Sequence, residues 1–270
     1  MKIAFLFLIY DEIVHEDLWA KFFEGVDPSL YTIYIHYKED KKLKHFEGHK
    51  LTNCVETDFA DISLIYANNV MLREALKDKD NKKFINLSQS CIPFKSFDYI
   101  YNFLTQDDDA HFFHAGKRHK CFPRCDKLLE YIPREKIDKS NQWFILNRVI
   151  AERASVKKSF YLDHLYKDIY APEEHYYITL VNELGLQKQV SFTDTYMDEA
   201  TTFVNWGSPG LCYKYKTNGT REHPKEYFEI QEEELIHLLN SECLFGRKFH
   251  KDCFIVDKDE FLDDFMMNIL

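Results

Sequence analysis

The stretch that decides the fold of this chain is Ile3-Ala4-Phe5-Leu6-Phe7-Leu8-Ile9, an uninterrupted apolar run close to the amino terminus. Such a run is typical of a central parallel strand that helices cover on both faces. It ends in Asp11 and Glu12 without the small residues of a signal-peptide cleavage site, and it is too short to cross a bilayer. We therefore interpret it as a buried first strand, and we expect neither a signal peptide nor a transmembrane segment.

Helix and strand patterns alternate after this first strand. The predicted helices cover 18–23, 64–75, 97–104 and 232–239, and the predicted strands cover 31–36, 84–87 and 202–206. This alternation predicts an α/β fold with a central, mostly parallel sheet flanked by helices. Because no repeat, low-complexity block or linker interrupts the sequence, we expect a single domain that spans 1–270.

The composition excludes several classes of function. The 270 residues carry a formal net charge of -10, which disfavours nonspecific binding to nucleic acid or to an anionic membrane. We therefore predict no nucleic-acid partner. The 7 cysteines are an odd, dispersed set that favours reduced thiols over a disulfide framework. With no predicted signal segment, these features favour a soluble protein of the cytoplasm, and the oligomeric state stays open.

Ligands of open α/β sheets bind at the carboxyl ends of the strands. His36 ends the second predicted strand, and Ser88 and Ser90 follow the third, so we predict that these three side chains form walls of a pocket. The alternative for the two serines is a role as turn and helix-cap residues. The glycine-rich fingerprints of dinucleotide-binding and P-loop proteins are absent from the sequence.

Two adjacent carboxylates stand at a predicted helix start, where Pro172 precedes Glu173 and Glu174. Proline suits the first turn of a helix, and the helix dipole favours negative charge there. One of the two carboxylates could serve as a general base. The alternative is a well-capped helix start without any chemistry.

Two groups of residues could hold a metal ion, and we predict that neither does. His111, His114, Cys121 and Cys125 fall within fifteen residues and could ligate zinc, but the lysines and arginine between them oppose a second cation. The acidic run 107–109 satisfies the Asp-x-Asp pattern of metal-dependent glycosyltransferases. It follows a predicted helix and not an apolar strand, so we interpret it as a solvated loop.

Three cations fall in segments where a pocket can form. Lys225 precedes a predicted helix, and Arg247 and Lys248 stand near the end of a predicted strand. Cations at such positions could neutralise a leaving diphosphate in place of a metal ion. The alternative is that they are ordinary surface cations among the 35 lysines and arginines of the chain.

Motifs spread over almost the whole chain resemble those of one enzyme family. Taken in order, they are KIAFLFL (2–8), YIH (34–36), FINLSQSCIP (84–93), SNQWF (140–144), APEEHY (171–176), VNW (204–206), HP (223–224) and FGRKF (245–249). This set is similar to the motifs of the core-2/I-branching β-1,6-N-acetylglucosaminyltransferase family, glycosyltransferase family 14, which includes plant enzymes and peptide xylosyltransferases.

The resemblance implies a GT-A-like (Rossmann-like) glycosyltransferase fold and inverting, metal-independent transfer from a UDP-sugar. It implies that Glu174 is the catalytic base and that Glu173 replaces the aspartate usual in the family. Lys225 and Lys248, with the neighbouring Arg247, are implied to bind the donor diphosphate. Trp206 is implied to bind the acceptor, and we assign Trp143 and Glu173 to sugar binding as well.

The function expected from the resemblance is transfer of N-acetylglucosamine from UDP-N-acetylglucosamine to a glycan hydroxyl, forming a β linkage. The expected partners are the UDP-sugar donor and a glycan or glycoconjugate acceptor, and no cofactor or metal is expected. One alternative is a xylosyltransferase that uses UDP-xylose. Another is a catalytically silent carbohydrate-binding protein on the same scaffold.

Overall fold

The computed structural model describes residues 1–113, 122–156, 159–193, 201–207 and 223–270. The strands are β1 (Lys2–Ile9), β2 (Tyr31–Tyr37), β3 (Asn81–Ser88), β4 (Ile92–Pro93), β5 (Ala110–Phe113), β6 (Ile145–Asn147), β7 (Val190–Thr193), β8 (Thr202–Val204), β9 (Tyr227–Ile230), β10 (Phe245–Arg247), β11 (Phe249–Ile255) and β12 (Glu260–Phe261). The helices are α1 (Glu16–Phe22), α2 (Ser63–Ala75), α3 (Phe97–Thr105), α4 (Phe122–Cys125), α5 (Arg148–Ser155), α6 (Ser159–Tyr166), α7 (Glu173–Leu184), α8 (Glu232–Leu239) and α9 (Leu262–Met267).

The main sheet has six strands in the order β2-β1-β3-β6-β5-β7. β1 pairs in parallel with both β2 and β3, so that Phe5 lies in register with Ile33 and Ile85. β5 and β7 are also parallel, while β6 runs antiparallel to both β3 and β5. The predicted α/β class with a mostly parallel sheet is confirmed, and β6 makes the sheet mixed.

The apolar run of β1 serves both faces of this sheet, because successive side chains of a strand point to opposite sides. Leu6 packs into a core that includes residues of α2, α5 and α7. Phe5 packs into a second core, where its ring meets Trp19 of α1 and Phe97 of α3 at centroid distances of 6.4 and 6.2 Å. This explains why β1 is apolar throughout and not alternating.

Two smaller sheets complete the architecture, with strand orders β4-β10-β8 and β12-β11-β9. They share a core with α8 and α9 that contains Phe94, Tyr227 and Phe249. The predicted helix over 232–239 is confirmed. The strand β9 before it was not predicted, because it has only four residues and the sequence around it lacks a clear strand pattern.

None of the helices in the described ranges is both long and apolar enough to span a bilayer.

Candidate active site

A cleft of about 1340 Å³ opens at the carboxyl ends of β1 and β3. Ser88 at the end of β3 and Ser90 in the following turn both line it, as does Tyr10 after β1. Their position follows from the parallel pairing of the two strands, which brings both carboxyl ends to one edge of the sheet. The structure thus places Ser88 and Ser90 at the predicted pocket.

The structure places His36 in the core, which corrects its assignment as a pocket wall. Its side chain is fully buried, its Nε2 accepts a hydrogen bond from the backbone N–H of Val55 at 2.9 Å, and it is not among the described residues that line the cleft. Burial lowers the pKa of His36 to about 4, so the ring is neutral at physiological pH. The side chain alternation of β2 turns His36 away from the cleft.

Glu174 lies in the first turn of α7 and lines the cleft. Its Oε2 is 3.1 Å from Nη1 of Arg124 and 3.1 Å from Nζ of Lys139. Two cations therefore hold one oxygen of this carboxylate. Because the side chain is partly exposed in the cleft, the carboxylate is accessible to a bound molecule.

Glu173 precedes Glu174 but lies in a different environment. Its side chain lines the cleft with only 4% exposure, and Oε2 has no hydrogen-bond partner among the described residues. Burial, reinforced by the neighbouring Glu174, raises the pKa of Glu173 to about 8. At neutral pH its carboxyl is therefore mainly protonated and can donate a hydrogen bond.

The SNQWF motif contacts the start of α7 directly. The backbone N–H of Ser140 donates to the carbonyl oxygen of Glu174 at 2.8 Å. Asn141 next to it is buried, lines the cleft, and has neither amide atom paired within the part of the chain that the structure describes. Since buried polar groups are almost always hydrogen-bonded, Asn141 and Glu173 are candidates to bind a ligand in the cleft.

Arg247 and Lys248 line the same cleft where β10 ends. The guanidinium of Arg247 lies 4.3 Å from the ring centroid of Trp143, which supports it by a cation–π contact. Burial lowers the pKa of Arg247, which stays charged because an arginine pKa is so high. Burial, and then the charge of Arg247, lower the pKa of Lys248.

Trp143 lines the cleft with only 6% exposure, and its ring supports the guanidinium of Arg247, so its assignment to sugar binding stays a prediction. Trp206 follows β8, is partly exposed, and lines the cleft. The buried Asn205 fixes this segment, since its Nδ2 donates to the hydroxyl of Tyr227 at 2.7 Å and its Oδ1 accepts from the N–H of Gly207 at 2.9 Å.

Lys225 lies near the cleft without being one of the described residues that line it. Its backbone N–H donates to the carbonyl of Asn205 at 2.8 Å, and its Nζ lies 4.0 Å from the ring centroid of Tyr227. The structure brings Arg247 and Lys248 to the cleft and does not bring Lys225 with them. Its assignment to the diphosphate stays a prediction from the resemblance.

Sequence reasoning missed the two cations that pair with Glu174. Lys139 directly precedes the SNQWF motif, and Arg124 belongs to the basic stretch 116–125. Their charge was visible in the sequence, but the contact with Glu174 joins segments 35 and 50 residues apart in the chain (174 − 139 and 174 − 124). No local pattern predicts such a long-range pairing.

None of the described residues of the two candidate metal groups is among those that line the cleft. Asp107, the first residue of the run 107–109, is 3.5 Å from Nζ of the buried Lys83, and Asp109 accepts a hydrogen bond from Ser191 at 2.9 Å. Of the zinc set, His114 and Cys121 lie outside the described residues. Within the described ranges, no three His, Cys, Asp or Glu side chains come together as ligands of a metal ion.

The chain is similar in sequence to a known enzyme family and to a plant glycosyltransferase. A family model described as Core-2/I-Branching enzyme matches residues 3–239. The chain is also 28% identical over 223 residues to the glycosyltransferase BC10 of Oryza sativa subsp. japonica, an alignment that covers 70% of this chain and 55% of that protein. The chain thus spans about half the length of this curated relative.

Similar solved structures are also glycosyltransferases. One is a glycosyltransferase involved in the glycosylation of the major capsid of PBCV-1, with a TM-score of 0.44 and 12% identity, covering 91% of this chain and 94% of that one. Another is the galactosyltransferase LgtC in complex with donor and acceptor sugar analogues, with a TM-score of 0.40 and 10% identity, covering 70% and 73%.

The fold is a mixed α/β sheet with a large cleft at the carboxyl ends of its parallel strands, which is where ligands of such sheets bind. The chain belongs to the Core-2/I-branching enzyme family. This is the family whose motifs the sequence resembles, so the predicted family is confirmed.

Proposed function

We propose that this protein is an inverting, metal-independent transferase that moves N-acetylglucosamine from UDP-N-acetylglucosamine to a glycan hydroxyl. The observation that carries the proposal is that one accessible carboxylate, Glu174, shares a cleft with two cations, Arg247 and Lys248. A base on the acceptor side and fixed positive charge on the diphosphate side are the two functions that a single displacement requires.

The different environments of the two carboxyl groups support Glu174 as the base. Two neighbouring carboxyl groups can have different roles in catalysis when their environments differ. Glu173 is buried and holds its proton at neutral pH, because burial raises its pKa to about 8. Glu174 is the accessible member of the pair and is positioned by Arg124 and Lys139.

The proposed reaction is one displacement at the anomeric carbon. Glu174 takes the proton of an acceptor hydroxyl. At the same time, the oxygen of that hydroxyl forms a bond to the anomeric carbon from the face opposite the diphosphate. The bond from the carbon to the diphosphate oxygen breaks, and its electron pair leaves with UDP. Arg247 and Lys248 stabilise the charge that develops on the diphosphate, so no general acid is required. The α-linked donor thereby gives a β-linked product.

The experiment that tests this proposal is a titration of the purified protein with UDP and a panel of UDP-sugars in EDTA. The panel contains UDP-N-acetylglucosamine, UDP-xylose, UDP-glucose and UDP-galactose, and both binding and slow donor hydrolysis are measured. We expect binding of UDP and preferential hydrolysis of UDP-N-acetylglucosamine.

Three other results of this titration would change the proposed function. Preference for UDP-xylose would change the donor and keep the mechanism. Activity lost in EDTA and restored by Mn²⁺ would contradict metal independence. If UDP did not bind under any condition, the transferase proposal would be wrong, and a carbohydrate-binding protein would be the remaining reading.

A further inference from the structure

Two aromatic side chains extend into the cleft without being covered. Phe59 is 81% exposed, the highest value among the large hydrophobic residues that the structure describes, and Tyr170 is 56% exposed. Both line the cleft. Large exposed aromatic groups at a binding cleft mark a surface that a ligand covers, since each leaves apolar area in water.

Both rings are carried by segments that are tied to one another. Each aromatic residue is followed by an alanine in the left-handed region, Ala60 with φ 55° and Ala171 with φ 52°. The backbone N–H of Ala171 donates to the carbonyl of Ala60 at 2.9 Å, which joins the two segments next to the rings. An alanine in the left-handed region is strained and persists only where surrounding contacts hold it.

The segment before Ala60 is anchored on its other side as well. Asp58 forms an ion pair with Lys38 at 3.0 Å, and its backbone N–H donates to the hydroxyl of Ser63 at 2.9 Å. Phe59 therefore projects from a fixed backbone. A preorganised aromatic ring contributes more to affinity than a mobile one, because less entropy is lost on binding.

The aromatic pair is coupled to the carboxylate that we propose as the base. The guanidinium of Arg124 lies 5.0 Å from the ring centroid of Tyr170, and the same guanidinium is 3.1 Å from Oε2 of Glu174. Arg124 thus contacts both the Tyr170 ring and the carboxylate of Glu174. Tyr170 and Ala171 also lead directly into the first turn of α7.

The ligand that suits this surface has an apolar face and a polar edge. Asn141 and Glu173 line the same cleft as Phe59 and Tyr170 and have unpaired buried polar atoms among the described residues. A pyranose ring presents C–H groups on its face and hydroxyls around its edge, so it can stack on the rings and bond to the polar atoms at once.

We propose that Phe59 and Tyr170 form a stacking platform for a sugar ring of the acceptor, which presents the acceptor hydroxyl to Glu174. This inference rests on the proposed function, because it assigns the acceptor to the Glu174 side of the cleft. The donor diphosphate is assigned to Arg247, the last residue of β10, and to Lys248, which lies between β10 and β11.

The test compares Phe59→Ala, Tyr170→Ala and the double variant with the parent and with Tyr99→Ala. Tyr99 is a matched control because it is 49% exposed on α3 and is not among the described residues that line the cleft. The first readout is binding to an array of β-galactoside, β-N-acetylglucosaminide, β-xyloside and β-glucoside oligosaccharides in the presence of UDP. The second is a calorimetric titration with UDP alone.

We expect the parent and Tyr99→Ala to bind the same glycans, and the double variant to bind them ~5- to 50-fold more weakly. UDP affinity should stay within about twofold of the parent, since stacking on the acceptor side does not touch the diphosphate. Glycan binding that survives in the double variant would overturn the platform.

Two further outcomes would also overturn it. If the double variant lost UDP affinity and kept glycan affinity, the rings would hold the nucleotide base. If the parent bound UDP but no glycan on the array, the platform would have no saccharide ligand. A parent that bound no UDP at all would instead contradict the proposed function, so the two failures can be told apart.

Discussion

Glu173 and Glu174 are neighbours in the first turn of α7, yet their carboxyl groups lie in opposite electrostatic environments. Glu173 is buried with an unpaired Oε2 among the described residues, and Glu174 is 3.1 Å from both Arg124 and Lys139. The pKa of Glu173 is raised to about 8, mainly by burial. The helix start therefore offers one neutral carboxyl, which can donate a hydrogen bond, beside one that cations position.

Replacing Glu174 by Gln should remove transfer while leaving the donor site intact. The amide keeps the size of the side chain and can still accept a hydrogen bond, but it cannot take a proton from the acceptor. A positioned general base contributes roughly 10² to 10⁴ in rate, so we expect kcat to fall by that factor. The measurement is steady-state transfer together with a UDP titration.

Glu152→Gln is the matched control for this substitution. Glu152 lies on α5, where it pairs with Arg148 at 2.8 Å, and it is not among the described residues of the cleft. It should change neither kcat nor UDP affinity. Transfer by Glu174→Gln within tenfold of the parent would contradict the assignment of the base.

The raised pKa of Glu173 predicts how stability depends on pH. The folded protein binds a proton at Glu173 up to about pH 8, while the unfolded chain releases it near the ordinary value of 4.5. The contribution is therefore fully present below pH 4.5 and is lost as pH rises through 8, with a total change of roughly 3 to 5 kcal/mol. The charged groups that act on it are Glu174, Arg124 and Asp61.

Glu173→Gln tests this dependence because an amide resembles the protonated carboxyl at every pH. We expect the free energy of unfolding of the variant, relative to the parent, to increase between pH 5 and pH 8.5. Urea unfolding at a series of pH values measures it. A constant difference across that range would mean that Glu173 is ionised in the folded protein.

Lys248→Ala should weaken UDP binding about 10- to 100-fold, because a charge-assisted hydrogen bond contributes roughly 1.5 to 3 kcal/mol. Burial lowers the pKa of Lys248, so this side chain loses its charge at a lower pH than an ordinary lysine does. The UDP affinity of the parent should therefore start to fall at a pH below the usual pKa of lysine. The variant should lack that alkaline decrease. Calorimetry from pH 6 to pH 10 measures both effects.

The control is Lys258→Ala, which removes a surface cation that pairs with Glu232 at 2.9 Å. It should leave UDP affinity unchanged at every pH. Unchanged UDP affinity in Lys248→Ala would remove that residue from the donor site. An alkaline decrease that persists in Lys248→Ala would belong to another group.

The parts of the fold that local patterns encode were predictable. The run that forms β1, the strands β2 and β3, and the helix start at Glu173 all follow from hydrophobic periodicity and helix-start preferences. The antiparallel course of β6 was not predictable, because its three residues carry no signal for direction. The small sheet that contains β9 depends on pairing with β11, a contact between distant parts of the chain.

The residues of the cleft likewise include some that the sequence predicted and some that only the tertiary structure reveals. Glu174 and Lys248 were found because they belong to motifs, and both line the cleft. Whether a side chain points to the cleft or to the core depends on strand register, and this is why His36 was placed wrongly. Burial likewise decides that Trp143 supports Arg247, and tertiary packing alone reveals that Phe59 is exposed.

The glycine of the FGRKF motif positions Arg247 through a close approach to Phe94. A Cβ added at Gly246 would overlap the Phe94 ring, which packs against Phe203 and Phe249 at centroid distances of 6.3 and 6.1 Å. Gly246→Ala should therefore destabilise the protein by about 1 to 3 kcal/mol through overpacking. It should also lower UDP affinity, because β10 carries Arg247.

A smaller side chain at position 94 should relieve this effect. In a double-mutant cycle measured by urea unfolding, we expect Gly246→Ala combined with Phe94→Leu to be less destabilised than the sum of the single variants by at least about 1 kcal/mol. UDP affinity should recover with it, because the space for the new methyl group restores the course of β10. Strictly additive effects on stability would show that Gly246→Ala acts on some other contact, and that the approach of Gly246 to Phe94 does not position Arg247.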